Sequence, residues 1–238
     1  SSLCRLALRQ ELIDAASFAT IRVISGALIL GLIMLPHWNS EDRPAANWKS
    51  AFMLFTYMAF FAFAYLSLSA GTGALILFTA VQLTMFIVAI RNGEHFTLLS
   101  WFGLALAVIG LIYLLSPGIT APDLSGAVMM MVAGIAWGIY SLLGKGSKNP
   151  LADTANNFIY SVPLVLVVSL IFLDNLYISA EGFALAVASG TIASGLGYSI
   201  WYAALRGLKP TSAATVQLSV PVIDAFGGVI LLSEPMTF

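Results

Sequence analysis

Two charged side chains sit inside long apolar stretches: Arg22 in FATIRVISGALIL and Asp224 in SVPVIDAFGGV. An ionised group at the centre of a bilayer costs about 2.5–3.5 kcal/mol on insertion scales, so each needs a cavity, a partner or a proton. Asp224 is the first candidate for solute binding and for proton coupling. Its structural alternative is a protonated Asp hydrogen-bonded to a neighbouring helix. Arg22 lies about two turns into its span. It can clamp a carboxylate or pair with Asp224; otherwise it snorkels to the interface or fixes a helix contact.

Uncharged groups extend the set. Gln82 in AVQLT and Gln217 in TVQLS carry amides at depth, able to bind polar solute groups or to bridge helices. Trp137 and Tyr140 in AGIAWGIYSLLGKG, with Tyr198, Trp201 and Tyr202 in GYSIWYAALRG, add ring faces and polar tips. Tyr198 and Tyr202 share a helix face at i, i+4 spacing. Such rings line an amphipathic pocket or stack a planar or cationic solute. An interfacial aromatic belt is the alternative, and the expected role of Trp201 and Tyr202 near a span end. Gly134 with Gly138, and Gly190 with Ser194, form small-xxx-small patterns that read as close helix packing. Pro163 and Pro221 interrupt two spans and leave carbonyls that a ligand or a rocking motion can use, or are plain kinks. Glu94 and Glu234 sit where helices start and read as capping acids.

Groups for covalent or metal chemistry are absent from these stretches. His37 and His95 flank polar breaks, and Cys4 is the sole cysteine. No HExxH, paired-carboxylate cluster or GxSG-plus-His arrangement occurs. No catalytic residue, metal site or cofactor is expected, and an intramembrane enzyme is the weakest functional reading.

The elements that position these residues follow from composition. Apolar residues make up 60% of the chain and charged residues 9%, against roughly 25% charged in a soluble domain, so a water-facing surface cannot be built. Apolar runs of about 20 residues without strict alternation predict membrane-crossing helices and not barrel strands. The fold class is all-α and polytopic. Polar, Gly and Pro clusters delimit spans near 14–36, 50–68, 72–90, 98–115, 124–144, 154–173, 182–204 and 211–233, with SSLCRLAL as the end of one more. Alternate loops carry Arg43, Lys49, Arg91, Lys145, Lys148, Arg206 and Lys209, which places the loops at 37–49, 91–97, 145–153 and 206–210 in the cytoplasm.

Residue matches recur at a nearly constant offset: Ser2-Leu3 with Ser141-Leu142, Asp14 with Asp153, Phe18 with Phe158, Ala74 with Ala214, Glu94 with Glu234 and Thr97 with Thr237. The chain therefore reads as a duplication, with a first repeat over 1–118 and a second over 124–238. By the same offset the first helix is truncated and a tenth lies beyond Phe238, so about nine helices of a five-plus-five arrangement are in view. Five helices per repeat is odd, so the second repeat enters the membrane from the opposite side. Inverted repeats let two similar halves open a midplane site to alternate faces.

FATIRVISGALIL (18–30), GTGALILFTAVQLTMF (71–86), WFGLALAVIGLIYLLSPG (101–118), AGIAWGIYSLLGKG (133–146) and the stretch from GYSIWYAALRGLKP to SEPMT (197–237) together resemble the drug/metabolite transporter superfamily, EamA type. The resemblance implies ten helices in two inverted repeats, cytoplasmic termini, and a central cavity walled by the first four helices of each repeat. It implies export of a small organic metabolite or drug, amino-acid-like or related, across a bacterial inner membrane by alternating access. Asp224 departs from the small apolar residue usual there. The expected partners are a small-molecule solute and the lipid bilayer, with a homodimer as an open option and no nucleic acid. A non-transporting sensor or assembly subunit is the alternative of a different class.

Overall fold

A computed structural model describes residues 2–35, 47–93 and 122–217, together with 98, 101–103, 105–106, 109–110 and 220. Its helices are α1 (Ser2–Arg9), α2 (Ala15–Met34), α3 (Trp48–Ala64), α4 (Ala70–Arg91), α5 (Leu124–Gly144), α6 (Pro150–Ile171), α7 (Ala180–Leu205) and α8 (Pro210–Gln217). Residues Ser189–Leu196 of α7 are wound as π-helix.

The long helices start where a short polar side chain can accept from the first turn's orphan amides. Asp14 accepts from the Ser17 amide at 2.8 Å, Ser69 from Thr72 at 3.2 Å, Asn149 from Ala152 at 3.2 Å and Ser179 from Gly182 at 3.0 Å. At α5 the Ser125 hydroxyl and the Gly126 amide hold the exposed Asp123 carboxyl below the usual carboxylate range. Five of these helices, α2, α4, α5, α6 and α7, are apolar and long enough to cross a membrane. A 20-residue helix such as α2 spans about 30 Å, the thickness of the hydrocarbon core. Leu28, Leu32, Ile192 and Ile200 point outward from the bundle, where lipid solvates them. The chain is an all-α, multi-pass integral membrane protein.

Two expected boundaries move. The span read as 50–68 ends at Ala64, in a turn whose carbonyl at Tyr65 accepts from Arg5 Nη1 at 2.8 Å. The span read as 182–204 is a helix from Ala180 to Leu205 with an internal π segment. Most of the 98–115 and 211–233 spans, and with them Asp224, Glu234 and Pro221, lie outside the described residues, as do His37, Glu94 and His95.

The bundle packs crosswise. α2 lies against α6 and against the π segment of α7, α3 lies against α5 and α6, and α4 lies against α5 and α8. Small residues set these approaches. A Cβ on Gly190 would collide with the Arg22 carbonyl and the Ser25 hydroxyl of α2, and one on Gly134 would lie 2.5 Å from the Leu77 carbonyl oxygen of α4. At one end of the bundle the α1–α2 and α6–α7 connections are joined by main chain. Ile13 and Ile178 form an antiparallel bridge, the Asp14 amide donates to the Tyr177 carbonyl at 2.9 Å, and Ser179 N donates to the Leu12 carbonyl at 2.8 Å.

Candidate functional site

Arg22 is 2% exposed and therefore does not snorkel. Its Nε donates to Ser194 Oγ at 2.8 Å and Nη2 to Tyr198 OH at 2.7 Å. The Tyr198 hydroxyl in turn donates to Tyr57 OH at 3.2 Å. The guanidinium carbon stands 5.7 Å from the Tyr57 ring centre and 5.1 Å from that of Phe61. Every one of these partners is neutral, and Nη1 has none among the described residues. An arginine does not lose its proton, so a full positive charge is held here by hydroxyl dipoles and ring faces.

The π segment brings Ser194 to that position. Widening the helix by i→i+5 bonds re-aims side chains and is common at functional sites. Gly190 lets the segment rest on α2 just where Arg22 departs, so one stretch supplies both the close approach and the hydroxyl. The small-xxx-small reading of Gly190 with Ser194 was thus incomplete: the glycine packs, while the serine bonds the guanidinium.

An aromatic chain runs from Arg22 across the bundle. Trp137 packs on Tyr198 at 4.6 Å and on Tyr57 at 4.9 Å between centroids, then on Tyr140 at 5.5 Å; Tyr140 packs on Tyr202 at 4.8 Å. Tyr202 is 1% exposed, its hydroxyl donates to the Tyr140 carbonyl at 3.1 Å, and its ring fills the space that a side chain at Gly144 would need. This corrects its assignment to an interfacial belt: the missing Cβ at Gly144 admits the ring to the core. Trp201 is partly exposed and donates from Nε1 to Ser141 Oγ at 3.0 Å.

Gln217 of α8 accepts from Trp137 Nε1 at 2.6 Å, and its Nε2 lies 3.9 Å from Met85 Sδ. Gln82 is buried one turn from Met85 with its Oε1 unpartnered among the described residues. The two amides thus frame the α4–α8 contact without bonding each other. Arg22, Trp137, Tyr198 and Gln217 form one connected group, with Tyr140 beside it and Gln82 on the adjoining α4 face. Asp224 lies outside the described residues. Tyr57, Phe61 and Ser194 join the group although nothing marked them as site residues; a tyrosine mid-span, needing a partner for its buried hydroxyl, was the available signal for Tyr57.

Among the described residues no group of three or more His, Cys, Asp or Glu could hold a metal ion. The arrangement offers one fixed cation, three phenol or serine hydroxyls and aromatic walls, which suits reversible binding of an anionic or amphoteric solute.

Comparison with known proteins gives consistent matches. The EamA-like transporter family matches residues 124–238. An uncharacterized protein of Pseudomonas aeruginosa is 44% identical over 99% of this chain and 82% of its own length. An uncharacterized transporter of Archaeoglobus fulgidus is 27% identical over 83% of this chain and 72% of its own. The threonine/homoserine exporter RhtA of Salmonella typhimurium is 27% identical over 56% of this chain and 46% of its own length. A protein of known crystal structure shares the fold, with a TM-score of 0.72 and 15% identity over 99% of this chain and 87% of that one.

Proposed function

We propose, from the premise that the chain belongs to the EamA-like transporter family, that it exports small amino-acid-like solutes across a bacterial inner membrane by alternating access. The reading is of a transporter rather than an enzyme. Arg22 is the anchor for the solute's carboxylate, and Tyr57, Trp137 and Tyr198 form the wall against which its carbon skeleton rests.

The observation that carries this reading is the neutral shell around a buried guanidinium. A charge taken from water into a low-dielectric interior loses several kcal/mol of solvation that hydroxyls and rings only partly restore. A solute carboxylate supplies the remainder, and Nη1, without a partner among the described residues, is the donor that receives it. The name of the Salmonella typhimurium relative, an exporter of threonine and homoserine, supports a solute bearing that group.

Alternating access is read from the helix exchange. Under the offset, α2 corresponds to α6 and α3 to α7. The second helices of the two halves, 1–118 and 124–238, then pack on each other, and each also packs on the third helix of the opposite half. That crosswise contact favours two inverted halves rocking about a shared axis. Asp224 is retained as the proton-coupling candidate, with Asp224→Asn as its probe.

The test is uptake of radiolabelled L-threonine and other neutral amino acids by the full-length protein in liposomes. Arg22→Gln is expected to lower transport at least about 30-fold, since truncating one partner of a buried charge pair costs roughly 2–5 kcal/mol. Arg22→Lys, which keeps the charge and loses the planar fork, is expected to keep a measurable fraction. Wild-type protein that moves no amino acid, or Arg22→Gln protein that moves them normally, rejects the reading.

A further inference from the structure

A separate cavity of about 170 Å³ opens where α3, α5, α6 and α7 converge, lined by Ser50, Leu143, Asp153, Asn156, Asn157 and Tyr202 among others. Drug-sized ligands occupy roughly 300–1,000 Å³, so this space suits a small polar head. Asp153 is the only acidic or basic residue among the described residues that line it.

Asp153 stands in the first turn of α6, where a carboxylate is ordinarily explained by the helix dipole. Here the Asn149 side chain already caps that turn through the Ala152 amide. Among the described residues the Asp153 carboxylate forms no hydrogen bond or ion pair, and it lines the cavity. One turn along the same face, Asn157 is 2% exposed and also lines the cavity. The Tyr140 hydroxyl, on a residue with no exposure, stands beside Tyr202, Asn157 and Thr154. Carboxylates are seldom left unpaired away from bulk water, so Asp153 beside the buried Asn157 marks a place where a polar group sits.

The chemistry of the lining selects its ligand. A carboxylate with amide and hydroxyl oxygens suits a donor-rich cation, and no described cation lines the space to oppose it. The floor also adjoins the start of the aromatic chain: Tyr202 touches Tyr140, Tyr140 touches Trp137, and Trp137 touches Tyr198 beside Arg22. The geometry points to a second subsite on the same route, which takes the protonated amine of the solute through Asp153 before its carboxylate reaches Arg22. This rests on the transporter reading, and it makes the solute amphoteric, with cation and anion recognised at opposite ends of one aromatic chain.

The test reads binding and transport separately. Leu143 lines the cavity and is exposed, whereas the native Cys4 is buried, so Leu143→Cys protein can be labelled there with a small thiol reagent. L-threonine and ethylammonium are expected to slow labelling at least fivefold, N-acetyl-L-threonine and potassium to leave it unchanged, and Asp153→Asn to abolish the protection. In liposomes Asp153→Asn is expected to raise the KM for threonine about tenfold with kcat within twofold, and Asp153→Glu to stay near wild type. Equal labelling with and without amines, equal protection by N-acetyl-L-threonine, or an unchanged KM overturns the subsite while leaving transport intact. Amine protection that depends on Asp153 in a protein that moves no solute supports the subsite and rejects the transport reading instead.

Discussion

Among the described residues the Arg22 guanidinium is met by hydroxyls and rings alone, which makes it an exacting residue of the bundle, because those neighbours must solvate its charge. The neighbouring Trp137 has a different duty: it holds Gln217 through a 2.6 Å bond from its ring nitrogen. Trp137→Phe keeps a ring in the aromatic chain and removes that donor, leaving Gln217 Oε1 buried and unpaired. A loss of about 1–3 kcal/mol is expected, visible as a thermal midpoint lowered by roughly 2–4 °C per kcal/mol. A midpoint equal to wild type would show that Gln217 finds another donor. Arg22 was legible in the sequence because a charge within an apolar run is conspicuous. Tyr57 and Phe61 were not, since aromatics abound in such runs and only the packing of α2 beside α3 shows which of them face the charge.

At the scale of elements, the described helices lie close to the apolar runs for a simple reason: hydrocarbon thickness sets their length and short polar residues cap them. The π segment of α7 escaped the sequence because GTIAS is equally readable as a packing motif, and helix winding depends on what the neighbouring helix accepts. Gly190 admits that segment to the α2 backbone. Gly190→Val would drive a branched side chain into the α2 backbone at Arg22, with overpacking costing about 1–3 kcal/mol or more. It is expected to lower both folded yield and transport. Gly31→Ala, at a position with nothing within 4 Å, is the matched control and should be silent in size-exclusion profile and transport rate. A Gly190→Val protein with wild-type yield would mean that α7 does not bear on α2 as described.

For the molecule as a whole, the membrane class and the family were legible from composition and degenerate motifs, while the junction of Ile13 with Ile178 was not, because apart from the Asp14 carboxylate, which accepts from the Tyr177 amide at 3.1 Å, its bonds join peptide groups that carry no side-chain signature. Residues paired across an antiparallel bridge are about 4.5–5.5 Å apart between Cα atoms, within reach of a disulfide. Ile13→Cys with Ile178→Cys is therefore expected to cross-link under oxidation and to cut transport at least tenfold, with recovery on reduction. Full activity of the cross-linked protein would show that this end never opens. Labelling of loops 37–49 and 145–153 from the same side of the bilayer is the matching expectation for inverted halves. In the proposed cycle this end parts and re-forms through amide-to-carbonyl bonds at Leu12, Asp14, Tyr177 and Ser179. A lock of that kind is deaf to many point mutations: apart from Asp14, whose carboxylate bonds across it, and Gly182, which leaves room for the Leu12 carbonyl, residues can change along it without altering its grip, and selection for new solutes is free to act on the opposite mouth.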